Sequence, residues 1–189
     1  MSNMKKDKFW NLIAKNYGDE VGEQTTKLTK KYLRKNDTVL DYGCARGAYT
    51  IALAGDVKEI RGIDISPKMI ELAKIKSKDI SFKKATIFDI DEKYDVVLAF
   101  NLLHLLEDTE KVIKKIDEIL KPGGRFISAT ACMKENVLLR IFGFFISIFG
   151  IIYVRKFKIS ELKKLISTRF DIVEIKEFSP HDILIVAKK

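Results

Sequence analysis

The sequence predicts a doubly wound α/β domain with a seven-stranded, mostly parallel sheet and a reversed last strand. Apolar runs with the length of buried strands alternate along the chain with amphipathic runs of helical period, which is typical of strands covered by crossover helices. The last two strand-like runs are separated only by a short turn at SPH, so we expect them to form an antiparallel hairpin. That hairpin is what reverses the seventh strand.

The helices are predicted from their amphipathic period and from their first residues. Ser66 followed by Pro67 is a favourable helix start, and Ser160 is predicted to cap the last helix. The N-terminal amphipathic segment is interrupted at Gly18 and Gly22, which divides it into two helices. The helices are therefore expected over 8–35 (two helices), 48–55, 66–77, 108–121 and 159–168.

The strands are predicted from short apolar runs bounded by turn residues. The run YDVVLAFN at 94–101 is almost continuously apolar, which indicates burial on both faces of the sheet. Pro122, Gly123 and Gly124 are predicted to end the helix that precedes the fifth strand. The strands are expected over 38–43, 59–65, 80–87, 94–101, 125–132, 170–178 and 182–189.

The composition describes one folded domain. The chain has 189 residues, of which 47% are apolar and 32% charged, so we interpret 1–189 as a single domain with one sizeable core. The net charge is +9, but the lysines are scattered and no RNA-binding signature or zinc-ligand spacing occurs. We therefore expect neither a nucleic-acid partner nor a metal. Two cysteines and no export signal predict a reduced, cytoplasmic setting.

The segment VLDYGCARG at 39–47 places an acid at the end of the first strand and then a turn with few side chains. In an open α/β sheet, ligands bind beyond the carboxyl ends of the strands, beside the first strand. Gly43 and Gly47 allow backbone conformations that other residues avoid and let a ligand lie against the backbone. The turn therefore predicts a ligand site.

The acids near this turn indicate the class of ligand. A dinucleotide site would need the pattern G-x-G-x-x-G, whereas the chain has Gly43, Ala45 and Ala48 at those positions. Asp41 would repel a pyrophosphate and attract a cation. Asp64 ends the second strand, where a carboxylate accepts ribose hydroxyls. S-adenosylmethionine meets these conditions, and an oxidoreductase that uses a dinucleotide is disfavoured.

Four segments in this order, VLDYGCARG, IRGIDISPKMIELA, YDVVLAFNLLHLL and LKPGGRF, resemble the class I S-adenosylmethionine-dependent methyltransferases. Within that family the chain is most similar to the small bacterial type related to the ubiquinone and menaquinone methyltransferases. The resemblance covers roughly 7–124, and the C-terminal helix and hairpin in outline. It implies a Rossmann-like methyltransferase fold, S-adenosylmethionine as cofactor and methyl transfer to a small molecule.

The resemblance also implies which residues hold the methionine and ribose parts of the cofactor. Asp41 would lie near the amino group, Asp64 would accept the ribose hydroxyls, and Asn101 would face the methionine part. Tyr17 is similar to the N-terminal aromatic residue that closes over the ligand in this family. The loop around the methionine part would consist of Asp41, Gly43, Ala45 and Gly47.

For the adenine, the resemblance leaves one contact unassigned. Ile65 and Met69 would flank the base, and its other edge would be lined by Thr86, Ile87 and Phe88. The family often has an acid near position 85 that accepts from the adenine amino group, and this chain has none there. Either Thr86 takes that role or Asp89 reaches the base.

A methyl transfer needs a general base only if the accepting atom arrives protonated. His104 follows the fourth strand and is the candidate catalytic residue, with a packed structural histidine as the alternative. His181, in the final hairpin turn, is the weaker candidate. Because no base is assured, a non-catalytic module that binds S-adenosylmethionine is the alternative function.

The stretch VLLRIFGFFISIFGIIYV at 137–154 is unusually apolar and is followed by Arg155, Lys156 and Lys158. A membrane span is disfavoured, because the chain must return to add two strands to the same sheet. We interpret 133–158 as an insertion that forms a lid over a hydrophobic substrate. The alternatives are peripheral contact with a membrane surface and a homodimer interface through 137–154.

Overall fold

The computed structural model describes residues 3–132, 153–179 and 182–189, and it confirms the predicted α/β architecture. Short 3-10 turns connect several elements, at Ala14–Asn16, Ile87–Asp89 and Leu103–Leu105. The described helices are α1 (Asn3–Ile13), α2 (Glu23–Lys31), α3 (Ala48–Ala54), α4 (Pro67–Lys76), α5 (Thr109–Ile119) and α6 (Ile159–Ile166). The strands are β1 (Thr38–Tyr42), β2 (Glu59–Asp64), β3 (Ser81–Lys84), β4 (Tyr94–Phe100), β5 (Leu120–Ala131), β6 (Asp171–Ser179) and β7 (Asp182–Lys188).

The strands form one sheet in the order β3-β2-β1-β4-β5-β7-β6. The pairs from β3 to β5 are parallel, and β7 runs antiparallel to both β5 and β6. The predicted reversed last strand is therefore confirmed. The chain order changes direction between β1 and β4, so a crevice opens beyond the carboxyl ends of these two strands.

Both faces of the sheet are buried, as the apolar runs predict. Alternate residues of a strand point to opposite faces, so Val39 packs in one apolar cluster and the adjacent Leu40 in another. The α5 and α6 side contributes residues such as Ile116 and Leu162 to the cluster of Leu40. The α3 side contributes Leu53 to the cluster of Val39. This two-sided burial holds the ends of β1 and β4 rigidly at the crevice.

Two boundaries near the ends of helices differ from the prediction. Helix α6 begins at Ile159, so Ser160 lies inside the helix and does not cap it. Helix α5 ends at Ile119, and Pro122–Gly124 lies within β5, where the register against β4 shifts. The proline and glycines therefore mark an irregular strand start and not the end of the helix.

Strand β3 is shorter than the predicted run 80–87 and ends at Lys84. The backbone amide and the hydroxyl of Thr86 both donate to Asp89 Oδ2, each at 2.7 Å. These bonds close the 3-10 turn Ile87–Asp89 and draw the chain away from the sheet edge.

In the ranges that the structure describes, no helix is long and apolar enough to cross a membrane. The stretch 137–154 lies almost entirely outside these ranges, as does most of the predicted insertion over 133–158. The interpretation of 137–154 as a lid, a membrane contact or a dimer interface therefore stays a prediction.

Candidate functional site

Two adjoining cavities occupy the crevice beyond the ends of β1, β2 and β4. The larger has a volume of about 420 Å³ and extends from the end of β2 to the loop after β4. The smaller, about 220 Å³, lies between the turn after β1 and the chain segment before α2. Five residues line both: Tyr17, Gly43, Ala45, Phe100 and Asn101. The two cavities therefore meet at the turn that the sequence singles out.

The turn after β1 is tight because three chain segments meet there. Gly43 has φ +78°, and a Cβ at this position would lie 2.8 Å from the side chain of Leu102 in the loop after β4. The amide of Gly43 donates to the carbonyl of Ile63 in β2 at 2.8 Å. Ala45 also has a positive φ, 46°, which a non-glycine residue seldom adopts. Ala45, which stands where the pattern G-x-G-x-x-G has glycine, thus still adopts a left-handed backbone.

Asp64 ends β2 at the wall of the larger cavity, as predicted. Its Oδ1 accepts from the amide of Ser66 at 2.8 Å and its Oδ2 accepts from the amide of Ala45 at 3.1 Å. These two bonds fix the carboxylate between the first turn and the start of α4. The carboxylate therefore has a defined orientation before any ligand arrives.

Asp41 is the penultimate residue of β1, lines the smaller cavity and is only 2% exposed. Burial raises the pKa of Asp41 to about 7, a hydrogen bond from the hydroxyl of Thr50 at 2.6 Å opposes this rise, and the negative charge of Asp64 adds to it. In the part of the chain that the structure describes, no lysine or arginine forms an ion pair with Asp41. A buried acid of this kind favours a positively charged neighbour.

Four of the predicted adenine-side residues line the larger cavity: Ile65, Met69, Thr86 and Phe88. Phe88 is an exposed aromatic ring (53%) at the cavity, available to a planar ligand. Ile87 does not line the cavity, because the 3-10 turn directs it into the core, where it is fully buried. Asp89 does not line it either, since its carboxylate accepts from Thr86.

Gly47 is needed for packing and not for ligand contact. It lines neither cavity, has φ +77°, and a Cβ there would lie 2.7 Å from the ring of Phe82 in β3. The prediction that Gly47 contacts the ligand is thus corrected to a supporting role. Gly47 lets α3 begin close against the sheet.

Asn101 lies at the junction of the two cavities, directly after β4. It has φ 52°, and its amide donates to the carbonyl of Ala129 in β5 at 2.8 Å. Backbone strain of this kind persists where the surrounding structure holds it, often at functional sites. Beyond Asn101 the wall is mostly apolar, with Leu102, Leu105, Leu106 and Val112, and two acids, Glu107 and Asp108, lie in the same wall.

The N-terminal segment covers the site from above. Tyr17 lines both cavities, and burial raises the pKa of its hydroxyl, with smaller contributions from Asp64 and Tyr49. Trp10 on α1 lines the larger cavity and packs edge-on against Tyr17, with ring centroids 6.1 Å apart. Helix α1 is held here by Asn11, whose Oδ1 accepts from the hydroxyl of Ser66 at 2.6 Å.

His104 lies outside the lining of both cavities. It is 8% exposed, burial lowers its pKa to about 4, and its carbonyl accepts from the amide of Arg155. An uncharged, buried histidine turned away from the cavities fits the structural alternative better than the role of general base. His181, the weaker candidate, lies outside the described residues.

The sequence prediction missed the residues that reach the site from helices and loops. Trp10 lies on α1, whereas Tyr17 follows the 3-10 turn in extended backbone, so no helical spacing relates the two. The others carry no local signal either. In the larger cavity the missed residues are Trp10, Tyr42, Phe100, Leu102, Leu105, Leu106, Glu107, Asp108 and Val112. In the smaller they are Gly18, Asp19, Glu20, Cys44, Arg46, Ala48, Tyr49 and Phe100.

Comparison with known proteins agrees with this geometry. Residues 33–143 match a family model described as a methyltransferase domain. The chain therefore belongs to this family, the class I S-adenosylmethionine-dependent methyltransferases. Within the family it is of the quinone methyltransferase-like group.

Two curated relatives illustrate the group. The 27-O-demethylrifamycin SV methyltransferase of Amycolatopsis mediterranei is 34% identical over 63% of this chain and 51% of its own length. A demethylmenaquinone methyltransferase of Lactobacillus johnsonii is 30% identical over 71% of this chain and 59% of its own length. The chain thus spans little more than half the length of these relatives.

A solved structure shows the same fold. The N-methyltransferase NodS from Bradyrhizobium japonicum, in complex with S-adenosylhomocysteine, superimposes with a TM-score of 0.68 at 21% identity. The match covers 88% of this chain and 84% of that one.

The described residues fit S-adenosylmethionine, the cofactor of the family. Gly43 and Ala45 bring backbone into the lining of both cavities, and the carboxylate of Asp64 is fixed at the wall of the larger one, where it can accept ribose hydroxyls. Phe88 presents an exposed ring, and Asp41 is a buried acid beside the smaller cavity. These are groups that can contact an adenine, a ribose and an ammonium group.

Proposed function

We propose that this chain transfers a methyl group from S-adenosylmethionine to a small hydrophobic molecule. The observation that carries the proposal is the junction of two unlike spaces at Asn101. The first space lies beside two acids, Asp41 in the smaller cavity and Asp64 in the larger. The second is the part of the larger cavity beyond Asn101, which is mostly apolar (Leu105 and Val112 among others) with Glu107 and Asp108 beside it. A cationic cofactor fits the first space, and an apolar acceptor fits the second.

We assign the cofactor contacts as follows. Asp64 accepts the ribose hydroxyls, and Asp41 lies near the amino group of the methionine part. The adenine lies against Ile65, Met69 and Phe88, with Thr86 at its edge. Since the amide and the hydroxyl of Thr86 both donate to Asp89, the hydroxyl oxygen can contact the base only as an acceptor.

The cofactor, when bound, supplies an electrophilic methyl group on a sulfonium. The chain then has to place the acceptor in line with that group and exclude water. Tyr17 and Trp10 cover the site from the N-terminal side, and Leu102 and Leu106 exclude water on the acceptor side. Asn101 stands between the two spaces, so its side chain can orient the acceptor.

His104 lies outside both cavities, whereas Glu107 and Asp108 line the larger one, so we propose that a general base, where the acceptor needs one, is one of these carboxylates. A non-catalytic binding module remains the second candidate function, because the same observation is expected for it. Incubation with candidate apolar acceptors and S-adenosylmethionine distinguishes the two. Formation of S-adenosylhomocysteine together with a methylated acceptor supports the enzyme, and binding without turnover across the acceptor panel supports the module.

Calorimetric titration with S-adenosylmethionine and S-adenosylhomocysteine tests the cofactor site. Wild type and Asp64→Ala are compared, with Asp91→Ala as the matched control because Asp91 is 98% exposed and far from the lining. Loss of about 2–3 kcal/mol of binding free energy in Asp64→Ala alone is expected for the removal of a charged acceptor. A folded wild-type protein that binds neither compound would overturn the proposed function.

The apolar stretch 137–154 is the part of the sequence most suited to contact a hydrophobic acceptor. We propose that its aromatic residues, Phe142, Phe144, Phe145, Phe149 and Tyr153, cover an apolar or lipid-like acceptor, or contact a membrane surface or a second copy of the chain. Flotation with anionic liposomes, for the full chain and for a variant with this stretch replaced by a polar linker, separates the membrane contact from the others. Equal flotation of the two proteins would overturn the membrane contact.

A further inference from the structure

Arg46 is the one basic residue of the turn VLDYGCARG, and the cofactor contacts proposed above do not use it. It lies between Ala45, whose amide holds Asp64, and Gly47, which packs on Phe82. Its side chain is only 19% exposed, although most arginines lie at the surface. A charged side chain at this position requires partners.

The partners of the Arg46 side chain all belong to the N-terminal segment. Its Nη1 donates to the carbonyl of Tyr17 at 2.5 Å and to that of Lys15 at 3.3 Å. Its Nη2 forms an ion pair with Asp19 Oδ2 at 2.9 Å. Lys76, at the end of α4, also contacts the carboxylate of Asp19 and donates to the carbonyl of Arg46 at 3.3 Å. We call Arg46 with Lys15, Tyr17 and Asp19 the Arg46 clasp.

The clasp holds the part of the N-terminal segment that covers the site. Tyr17 lines both cavities and is flanked by Lys15 and Asp19, the other two members of the clasp. The segment has further anchors on either side, Asn11 on Ser66 and Gly22 on the hydroxyl of Tyr49. Between these anchors, the clasp joins the cover directly to the loop against which the cofactor would lie.

We infer that Arg46 is a positioning residue whose clasp keeps Tyr17 closed over the cofactor, so that release of the cofactor requires the clasp to open. The inference rests on the proposed binding of S-adenosylmethionine. A guanidinium suits this task because its planar fork can donate to two carbonyls and a carboxylate at once, which a lysine ammonium at the same position does less well.

Exposed ion pairs contribute little by themselves, and Asp19 is 39% exposed. The bonds to the carbonyls of Lys15 and Tyr17 therefore matter most, and the ion pair with Asp19 adds orientation. This predicts a graded series. Arg46→Ala opens the clasp, Asp19→Asn weakens it, and Arg46→Lys lies between the wild type and Arg46→Ala.

The first arm of the test uses the ligand-free protein. Trp10 is the only tryptophan of the chain and packs on Tyr17, so quenching of its fluorescence by acrylamide reports whether the cover is closed. Arg46→Ala is expected to raise the quenching constant about twofold. The matched control is Arg61→Ala, which removes an arginine paired with Glu59 on the surface of β2 and should leave the quenching unchanged.

The second arm measures release of bound S-adenosylhomocysteine after trapping with excess S-adenosylmethionine. Arg46→Ala is expected to release it about tenfold faster, which corresponds to about 1.4 kcal/mol. Added salt should accelerate release from the wild type more than release from Arg46→Ala, because the variant has lost the pair of Arg46 with Asp19 and keeps only the pair of Lys76 with Asp19. A merely structural role would not produce this difference.

The outcomes separate the clasp from the proposed function. If the wild type binds S-adenosylhomocysteine and Arg46→Ala releases it at the wild-type rate, with equal quenching of Trp10, the clasp is overturned while the cofactor site stands. If the wild type does not bind, the proposed function fails and the clasp loses its role as a gate. Equal melting temperatures and equal far-ultraviolet dichroism exclude unfolding of the variant as the cause.

Discussion

The carboxylates at the two ends of the sheet have opposite surroundings. At the amino end, Asp37 pairs with Arg125 at 2.6 Å, and Asp95 pairs with Lys121 at 2.8 Å. At the carboxyl end, the buried Asp41 accepts from a hydroxyl and lies near another acid, Asp64. The amino-end acids are paired with basic side chains, whereas no lysine or arginine among the described residues forms an ion pair with Asp41, so a cationic ligand group can take that place.

The pKa values follow this difference. Burial acts to raise the pKa of Asp95, but hydrogen bonds from Lys121 and Thr38 lower it to about 2. Burial raises the pKa of Asp41 to about 7, with only Thr50 opposing. Asp95 therefore stabilises the fold when ionised, whereas ionised Asp41 destabilises it. The carboxyl end gives up stability for ligand binding, as functional sites often do.

The largest effect is expected from breaking the buried pair at the amino end. Asp37→Asn leaves Arg125, whose side chain is 10% exposed, without its counterion, and should cost about 3 kcal/mol or more in the free energy of unfolding. Urea unfolding at pH 7 measures it. Asp91→Asn breaks an exposed pair with Lys115 and should change stability by less than about 0.5 kcal/mol. Equal effects of the two changes would contradict the account.

Asp41→Asn should do the opposite at the carboxyl end. An amide keeps the shape and a hydrogen bond to Thr50, and it removes a charge that is costly to bury. We expect the ligand-free variant to be about 1–2 kcal/mol more stable than the wild type at pH 8. It should also bind S-adenosylhomocysteine about 50-fold more weakly, because a charged acceptor is lost. Urea unfolding and calorimetry measure the two; a variant less stable than the wild type would refute the first expectation.

The pH dependence of stability should show the same contrast. The pKa of Asp95 is lower in the folded state than its ordinary value of 3.8, so its stabilisation is present above that value and is lost as the pH falls toward 2. Asp95→Asn should cost about 1–2 kcal/mol at pH 7 and less at pH 2.5. Denaturation curves across this range test it, and a cost that does not depend on pH would count against it.

Asp41 should act in the other direction along the pH scale. Its folded pKa is higher than 3.8, so its contribution to stability is lost as the pH rises through about 7. The stability of Asp41→Asn relative to the wild type should therefore increase from pH 5 to pH 8. A constant difference between the two proteins over this range would show that Asp41 does not titrate there.

The smallest effect is expected at the turn itself. Ala45 has φ 46°, so Ala45→Gly relieves backbone strain while making the unfolded chain more flexible, and the two effects nearly cancel. We expect a stability change within about 0.5 kcal/mol and unchanged cofactor affinity. Ala48→Gly, at the first residue of α3, should cost up to about 1 kcal/mol because it lowers helix propensity. Thermal melting of both variants and the wild type measures these changes in stability.

The sheet was predictable because its signals are local. Val39 and Leu40 point to opposite faces and are both apolar, which already indicates a strand covered on both sides. Asp41 and Asp64 were predictable for the same reason, since each lies at the carboxyl end of a strand of this kind. The boundaries of α6 and β3 were not, because a bond from the Lys158 amide and the closure at Asp89 decide them.

The parts of the site that sequence reasoning misplaced depend on contacts between distant segments. Gly47 faces the ring of Phe82 and Ile87 turns into the core, and neither fact follows from the turn sequences. The partners of Arg46 lie about thirty residues earlier in the chain, so its role is visible only in the fold. Resemblance to a family locates a motif but not the packing around it.

The central claim is that Asp41 is held partly protonated until a cationic ligand arrives. It is tested most directly by calorimetry of S-adenosylhomocysteine binding at pH 7 in buffers with different ionisation enthalpies. Because the ammonium group of the ligand, placed beside Asp41, lowers the pKa of that carboxyl from about 7, the wild type should release about half a proton more than Asp41→Asn. Equal proton release by the two proteins, with both binding, would contradict the claim.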